Sequence, residues 1–192
     1  AHWTGDPVTV TLNNNGDTSS ALNLTYGGKY DGLTDLTRQY YTFLGWYTAE
    51  TGGNRVTSAS TVTNASAHTL YARWQRNTAA VTFKNGDATV AARTVNQGEA
   101  VGTLPEPTKT GYTLDGWYTA ETGGTNIDKN TIITADVTYY THWTANEYTV
   151  TLNYGDGVTA DSSKTVTYDQ AYGELPAPTR EYYTFTGWYT AA

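Results

Sequence analysis

Residues 45–53 read GWYTAETGG, and residues 116–124 read GWYTAETGG again, letter for letter; a third copy opens at Gly187 and runs GWYTAA to the last residue. The three motif tryptophans, Trp46, Trp117 and Trp188, are evenly spaced along the chain. The other three, Trp3, Trp74 and Trp143, each end a strand-like segment and recur at nearly the same interval. A period of roughly 70 residues marks a repeat architecture and overrides the prior of one or two domains for a chain of 192 residues. The spacing predicts copies at 4–74, 75–143 and 144–192. Residues 1–3 form the tail of a preceding copy, and the third copy stops before its closing strand.

Counting forward from each closing tryptophan gives apolar residues at alternate positions: Val8, Val10 and Leu12; Ala79, Val81 and Phe83; Tyr148, Val150 and Leu152. Period two is the signature of a strand with one buried face. Each such strand runs into a turn cluster: residues 13–17 (NNNGD), 85–87 (NGD) and 154–157 (YGDG). Asn-Gly and Gly-Asp pairs supply the positive φ of tight hairpins, so second antiparallel strands are predicted at 22–26, 90–95 and 164–168. A stretch punctuated by Gly and Pro follows, LPEPT at 104–108 and LPAPT at 175–179, with GLTDLT at 32–37 in the first copy. Two prolines two apart forbid a regular ladder there, leaving a loop and at most a short helix.

The third strand is predicted at 41–48, 112–119 and 183–190. Position 43 is Phe, Leu or Phe across the copies and position 44 is Leu, Asp or Thr, so the first faces the core and the second faces solvent. Strict alternation then turns Trp46 outward. A bulge at Gly45 reverses the phase and turns it inward, the preferred reading for a large indole present in every copy. In the closing strand, at 69–74 and 138–143, Leu70, Ala72 and Trp74 share the inner face, and Tyr71 and Arg73 the outer one. By this reasoning Trp74 has a firmer claim on the core than Trp46. Gly45, Trp46, Trp74, Gly116, Trp117, Trp143, Gly187 and Trp188 are the structural motif.

Composition narrows the function. Hydrophobic residues make up 38% and charged residues 15%, with 17 Tyr, a balance that favours ordered β structure over disorder. The net charge of −7 argues against nucleic acid as partner. No apolar run approaches the ~20 residues needed to span a bilayer, so no membrane insertion is expected of this segment. The chain starts at Ala1 without a signal-peptide pattern and reads as a piece of a longer mature protein. With no Cys there are no disulfides, thiol nucleophiles or Cys-based zinc sites.

The order Leu-Pro-x-Pro-Thr, Tyr-Thr-Phe-x-Gly-Trp-Tyr-Thr, Thr-Gly-Gly and Thr-Leu-Tyr-Ala-x-Trp resembles the Listeria-Bacteroides repeat, also called the internalin B repeat. The likeness covers the first two copies fully and the third as far as Ala192. It implies a β-rich α+β fold, each copy a small ubiquitin-like β-grasp module with a short helical or irregular crossover, set in an elongated tandem array. It also implies an extracellular setting, on a bacterial surface or secreted. Periodicity alone implies only a small, largely antiparallel β module.

No residue pattern calls for catalysis, a metal or a cofactor. His2 and His142 occupy the position that Arg73 fills in the first copy, which marks a solvated strand face rather than a ligand set. Glu50, Glu121, Asp17, Asp87 and Asp156 lie in turns, where carboxylates are ordinary, and the dense ligand spacing of a calcium loop is absent. The expected role is a stalk or spacer with protein-interaction or adhesive capacity toward a host or bacterial surface protein. The alternative is a module that grips glycan or mucin through exposed tyrosines, with Tyr71 and Tyr140 as candidates. A third copy without its closing strand invites the borrowing of a strand from another molecule.

Overall fold

The computed structural model describes residues 1–16 and 19–190 and consists of twelve strands with no helix among them. They are β1 (Pro7–Asn13), β2 (Ser20–Thr25), β3 (Tyr41–Tyr47), β4 (Arg55–Val56), β5 (His68–Arg76), β6 (Thr78–Asn85), β7 (Ala88–Asn96), β8 (Tyr112–Tyr118), β9 (Asn126–Ile127), β10 (Val137–Ala145), β11 (Glu147–Leu152) and β12 (Ser162–Thr167). Two five-stranded sheets repeat one order, β2-β1-β5-β3-β4 and β7-β6-β10-β8-β9, and a two-stranded hairpin pairs β11 with β12. By contacts the chain divides into two compact units. One comprises Ala1–Ala80, Thr94–Ala100 and Ile132–Asp136, and the other Val81–Arg93, Val101–Thr131 and Val137–Ala192.

Within the first sheet, β1 pairs antiparallel with β2 and parallel with β5, in the register Leu12↔Leu70. This mixed pairing follows from chain order: β5 arrives only after β2, β3 and β4 have been laid down, and it enters the sheet between β1 and β3. Its core is Val8, Val10, Leu12, Tyr30, Trp46, Val56, Val62, Leu70 and Ala72, with Phe43 and Trp74 packed against it. In the second sheet Val81, Phe83, Val101, Trp117, Ile127 and Tyr139 are buried. There β10 runs parallel to β6 and antiparallel to β8. The inner face of the first strand in each sheet is thus the apolar set of alternate residues. In the hairpin only Leu152 is buried, and Tyr148 is 48% exposed.

The α+β, β-grasp expectation is overturned, because no helix forms among the described residues and none is therefore long and apolar enough to cross a membrane. The segment between second and third strands is irregular chain with turns, tied to the segment before the closing strand instead. Gly27 N donates to Val62 O and Val62 N to Gly28 O, both at 2.9 Å, and Lys29 bridges to Thr61. In the second copy Val101 N donates to Thr131 O at 2.8 Å. Backbone groups committed to a neighbouring segment are not free for i→i+4 bonds, and Pro105 and Pro107 each lack a donor. A buried anchor, Tyr30 or Val101, then seats each segment against its sheet.

A second departure concerns 183–190, expected as a strand. Only an isolated bridge between Arg180 and Tyr183 forms there. Its counterparts β3 and β8 lie against β5 and β10, and without such a neighbour backbone hydrogen bonds have no ladder to join. Asp17 of the first turn, and Ala191 and Ala192 of the last motif, lie outside the described residues.

Candidate functional site

The GWY motif is the most repeated piece of geometry. Strand β3 shifts register between Phe43 and Gly45, and Gly45 takes φ +124, so Trp46 turns inward and is 4% exposed. Gly116 has φ +134 and Trp117 is 1% exposed. Gly187 also has φ +134, while Trp188 is half-buried. All three indoles make one bond: Nε1 donates to the carbonyl twelve residues earlier, Thr34 O at 3.0 Å, Pro105 O at 2.8 Å and Pro176 O at 2.7 Å. The tryptophan therefore ties the irregular crossover to the sheet, which explains why an indole and not merely a large apolar ring stands there. Phe43 packs edge-on against Trp46, and Phe83 against Trp117.

The closing tryptophans are shallower. Trp74 and Trp143 are both half-buried, the reverse of the depth ranking expected from alternation. Trp143 Nε1 donates to Asn85 Oδ1 at 3.0 Å and to Thr141 Oγ1 at 2.9 Å, and the buried Thr141 hydroxyl donates to Asn85 Oδ1 at 2.9 Å. Ala72 replaces Thr141 in the first sheet, where neither Trp74 Nε1 nor Asn14 Oδ1 has a partner among the described residues. Trp3 is 88% exposed and His2 is exposed.

Tyr71 and Tyr140 lie on the outer face and are half-buried. Each faces another tyrosine across the ladder, Tyr71↔Tyr47 and Tyr140↔Tyr118. Their other neighbours are Asn13 and Lys84. Beside them sits a device that the sequence pattern did not reveal. The Arg73 guanidinium lies 4.0 Å over the Tyr47 ring and donates to Ala49 O at 2.9 Å and to Gly52 O. His142 stacks on Tyr118 with centroids 3.9 Å apart, and its Nε2 meets Ala120 O at 3.0 Å, which makes that nitrogen the protonated one. Arg and His thus perform one task, clamping the TAETGG turn over the GWY tyrosine. The shared signal was an N–H donor on a planar, π-stacking group directly before each closing tryptophan.

That turn returns the chain through the short strands β4 and β9, which bury Val56 and Ile127 against the cores. In the third copy, Tyr154, Asp156, Arg180, Phe185 and Trp188 line an open cleft of about 820 Å³. Tyr154 packs edge-on against Trp188 there. Glu50, Glu121 and Asp87 are exposed. Asp156 has its carboxyl lowered to about 2, first by the Thr159 hydroxyl and then by the Val158 and Thr159 amides, which all donate to it. Among the described residues no group of three or more His, Asp or Glu side chains converges.

The model of the Listeria-Bacteroides repeat domain matches residues 9–73, 80–142 and 148–192. The chain is 37% identical over 116 residues to Internalin H of Listeria monocytogenes serovar 1/2a, an alignment covering 59% of this chain and 21% of that protein. It is 29% identical over 198 residues to a putative membrane protein of Evansella cellulosilytica, covering 98% of the chain and 29% of the relative. A putative Gly-rich membrane protein of the same organism is 28% identical over 199 residues, 98% of the chain and 23% of the relative. The chain spans less than a third of the length of each.

Proposed function

The chain belongs to the Listeria-Bacteroides repeat family, and from that premise we propose that it is a repeat region of a bacterial cell-surface or secreted protein, a stalk with protein-interaction capacity and no catalysis. Its copies are 4–74, 75–143 and 144–192, with 1–3 the tail of another. The observation that carries this reading is the indole-to-carbonyl tie, made by Trp46, Trp117 and Trp188 alike. A reaction centre needs building once, whereas a spacer needs the same structural solution in every copy. The kinship with Internalin H and with two proteins named as membrane proteins, each much longer than the chain, supports a place in a larger surface protein.

The test separates reach from recognition. Cells displaying the parent protein with or without residues 4–192 are scored for affinity toward soluble ligand and, separately, for capture of whole target cells. A spacer leaves the first unchanged and lowers the second; a loss of soluble-ligand affinity on deletion would sink the stalk reading.

The paired outer-face tyrosines favour a second reading, glycan or mucin binding at Tyr47 and Tyr71 and again at Tyr118 and Tyr140. Titration with mucin fragments then shifts the ring resonances of these four residues. Resonances that stay fixed across a broad set of host sugars dispose of it.

A further inference from the structure

A single asparagine joins each closing strand to the first strand of the following copy, Asn77 between β5 and β6 and Asn146 between β10 and β11, and the backbone bonds around it are the same twice. Asn77 N donates to Tyr40 O at 2.9 Å, Gln97 N donates to Asn77 O at 2.9 Å, and Thr42 Oγ1 donates to Asn77 Oδ1 at 2.7 Å. Further along, Asn146 N donates to Gly111 O at 2.8 Å, Tyr168 N to Asn146 O at 2.9 Å, and Thr113 Oγ1 to Asn146 Oδ1 at 2.6 Å. Each junction lies wholly within one of the two compact units.

On this common scaffold the tyrosine comes from opposite sides of the junction, and in the following copy its position, that of Gln97, is the one just before Gly98, whose own counterpart is Asp169. At the first junction the Tyr40 ring, from the preceding copy, covers Gly98 of the following one so closely that a Cβ there would lie 2.5 Å from Cδ2. At the second, the Tyr168 ring of the following copy covers Gly111 of the preceding one, where a Cβ would overlap the ring. Gly111 occupies the position of Tyr40, and Tyr168 that of Gln97. Tyr40 holds φ +65, a conformation that is strained for a tyrosine and that Gly111 adopts freely at φ +77. Tyr182, at the same position in the third copy, holds the same φ of +65 while 94% exposed, so this φ belongs to the turn; what sets Tyr40 apart is the contact its ring makes on Gly98.

We propose that neighbouring copies are joined by a lock of one tyrosine ring seated on one bare glycine, and that either side of the junction can supply the tyrosine. The partner this surface fits is an adjacent repeat with glycine at the opposing position. A tyrosine on both sides would compete for one space, and glycine on both sides would leave the linker amides open to water. Polar contacts border the lock: the Arg76–Glu99 pair at 3.0 Å in the first junction and the bond from Tyr112 Oη to Asp169 Oδ2 at 3.2 Å in the second.

The experiment is native-state hydrogen exchange on the full chain, read at the Asn77 and Gln97 amides, with β5 amides reporting that the sheet stays folded. Tyr40→Gly, and separately Tyr40→Asn, which tolerates the same φ, should each cut protection at Asn77 and Gln97 roughly tenfold by exposing the ring-covered face. Gln97→Tyr placed in the Tyr40→Gly background reproduces the second junction's polarity and should restore the protection. Tyr182 has the same φ of +65 as Tyr40 and is 94% exposed, so Tyr182→Gly is the matched control and should leave both amides unchanged. The lock is refuted if both Tyr40 variants keep full protection, if Gln97→Tyr does not recover it, or if Tyr182→Gly lowers it equally.

Discussion

Replacing an indole by a phenyl ring at Trp117 and at Trp188 removes the same bond from two very different settings, and the comparison measures what the tie is worth. Trp117 is 1% exposed, stands 4.9 Å edge-on from Phe83, and its Nε1 reaches Pro105 O at 2.8 Å. In Trp117→Phe the carbonyl loses its donor in a part-buried site, at a cost of about 1–2 kcal/mol. The smaller ring leaves roughly 40 Å³ unfilled, and at ~24 cal/mol per Å³ this adds about 1 kcal/mol. The expected destabilisation of the second sheet is therefore about 2–3 kcal/mol. At Trp188 the bond to Pro176 O is exposed and the ring half-buried, so water replaces the donor and the cost of Trp188→Phe stays below about 1 kcal/mol. Hydrogen exchange serves as the assay because each sheet reports on itself. Amides of β8 and β10 should lose roughly 30- to 160-fold protection in Trp117→Phe, and those of β11 and β12 less than about fivefold in Trp188→Phe. Equal losses in the two variants, or a Trp117→Phe loss under about threefold, would show that neither burial nor the tie governs the motif.

Gly116→Ala drives a Cβ to 2.6 Å from Asn126 Nδ2 at φ +134, whereas Gly187→Ala has the same φ and nothing within 4 Å; thermal unfolding should show the first costing about 1 kcal/mol more than the second. Thr141→Ala should destabilise the second sheet by about 1–2 kcal/mol by breaking the Asn85 and Trp143 bonds, and urea denaturation of the full chain would detect it. The Asp156 carboxyl is lowered in the folded chain, so its turn gains stability above the ordinary value of 3.8 and loses it as pH falls through about 2. The Thr159 amide resonance should follow that transition and cease to do so in Asp156→Asn. If the third copy borrows a strand, sedimentation shows dimers whose fraction rises with concentration; a strictly monomeric profile removes the idea.

Much of the fold was legible because burial writes a short period into the chain. Val8, Val10 and Leu12, and again Ala79, Val81 and Phe83, alternate so cleanly that strand, face and hairpin follow from local physics. Gly45 was readable as a question of phase, since Phe43 and Trp46 are three apart and cannot both face inward on an unbroken strand. What local pattern does not carry is the partner. The parallel pairing of β1 with β5 is set by closure over all the strands between them, and no residue in either strand announces it. The strands β4 and β9 are two residues long, too short for a period, and show only as lone Val56 and Ile127 after a glycine turn. The family likeness left the crossover helical or irregular, and it takes the irregular form because its backbone groups bond to those of Val62 and Thr131.

The candidate site was legible in the same uneven way. Tyr71 and Tyr140 are visible as outer-face aromatics from alternation alone, but their facing partners Tyr47 and Tyr118 depend on the register after the bulge. Arg73 and His142 looked like interchangeable solvated residues because sequence compares them by charge. The structure compares them by shape: both present a flat N–H donor that rests on a tyrosine and reaches the same turn carbonyl. This has a consequence for how such a surface can diverge between copies. Any pair of tyrosine and stacked planar donor preserves the turn, so the charge of the outer face is free to vary while its geometry is held. One copy then presents a guanidinium and the next an imidazole on the same scaffold. A partner that contacts the clamp residue could therefore tell the copies apart, even though their cores and turns are built alike.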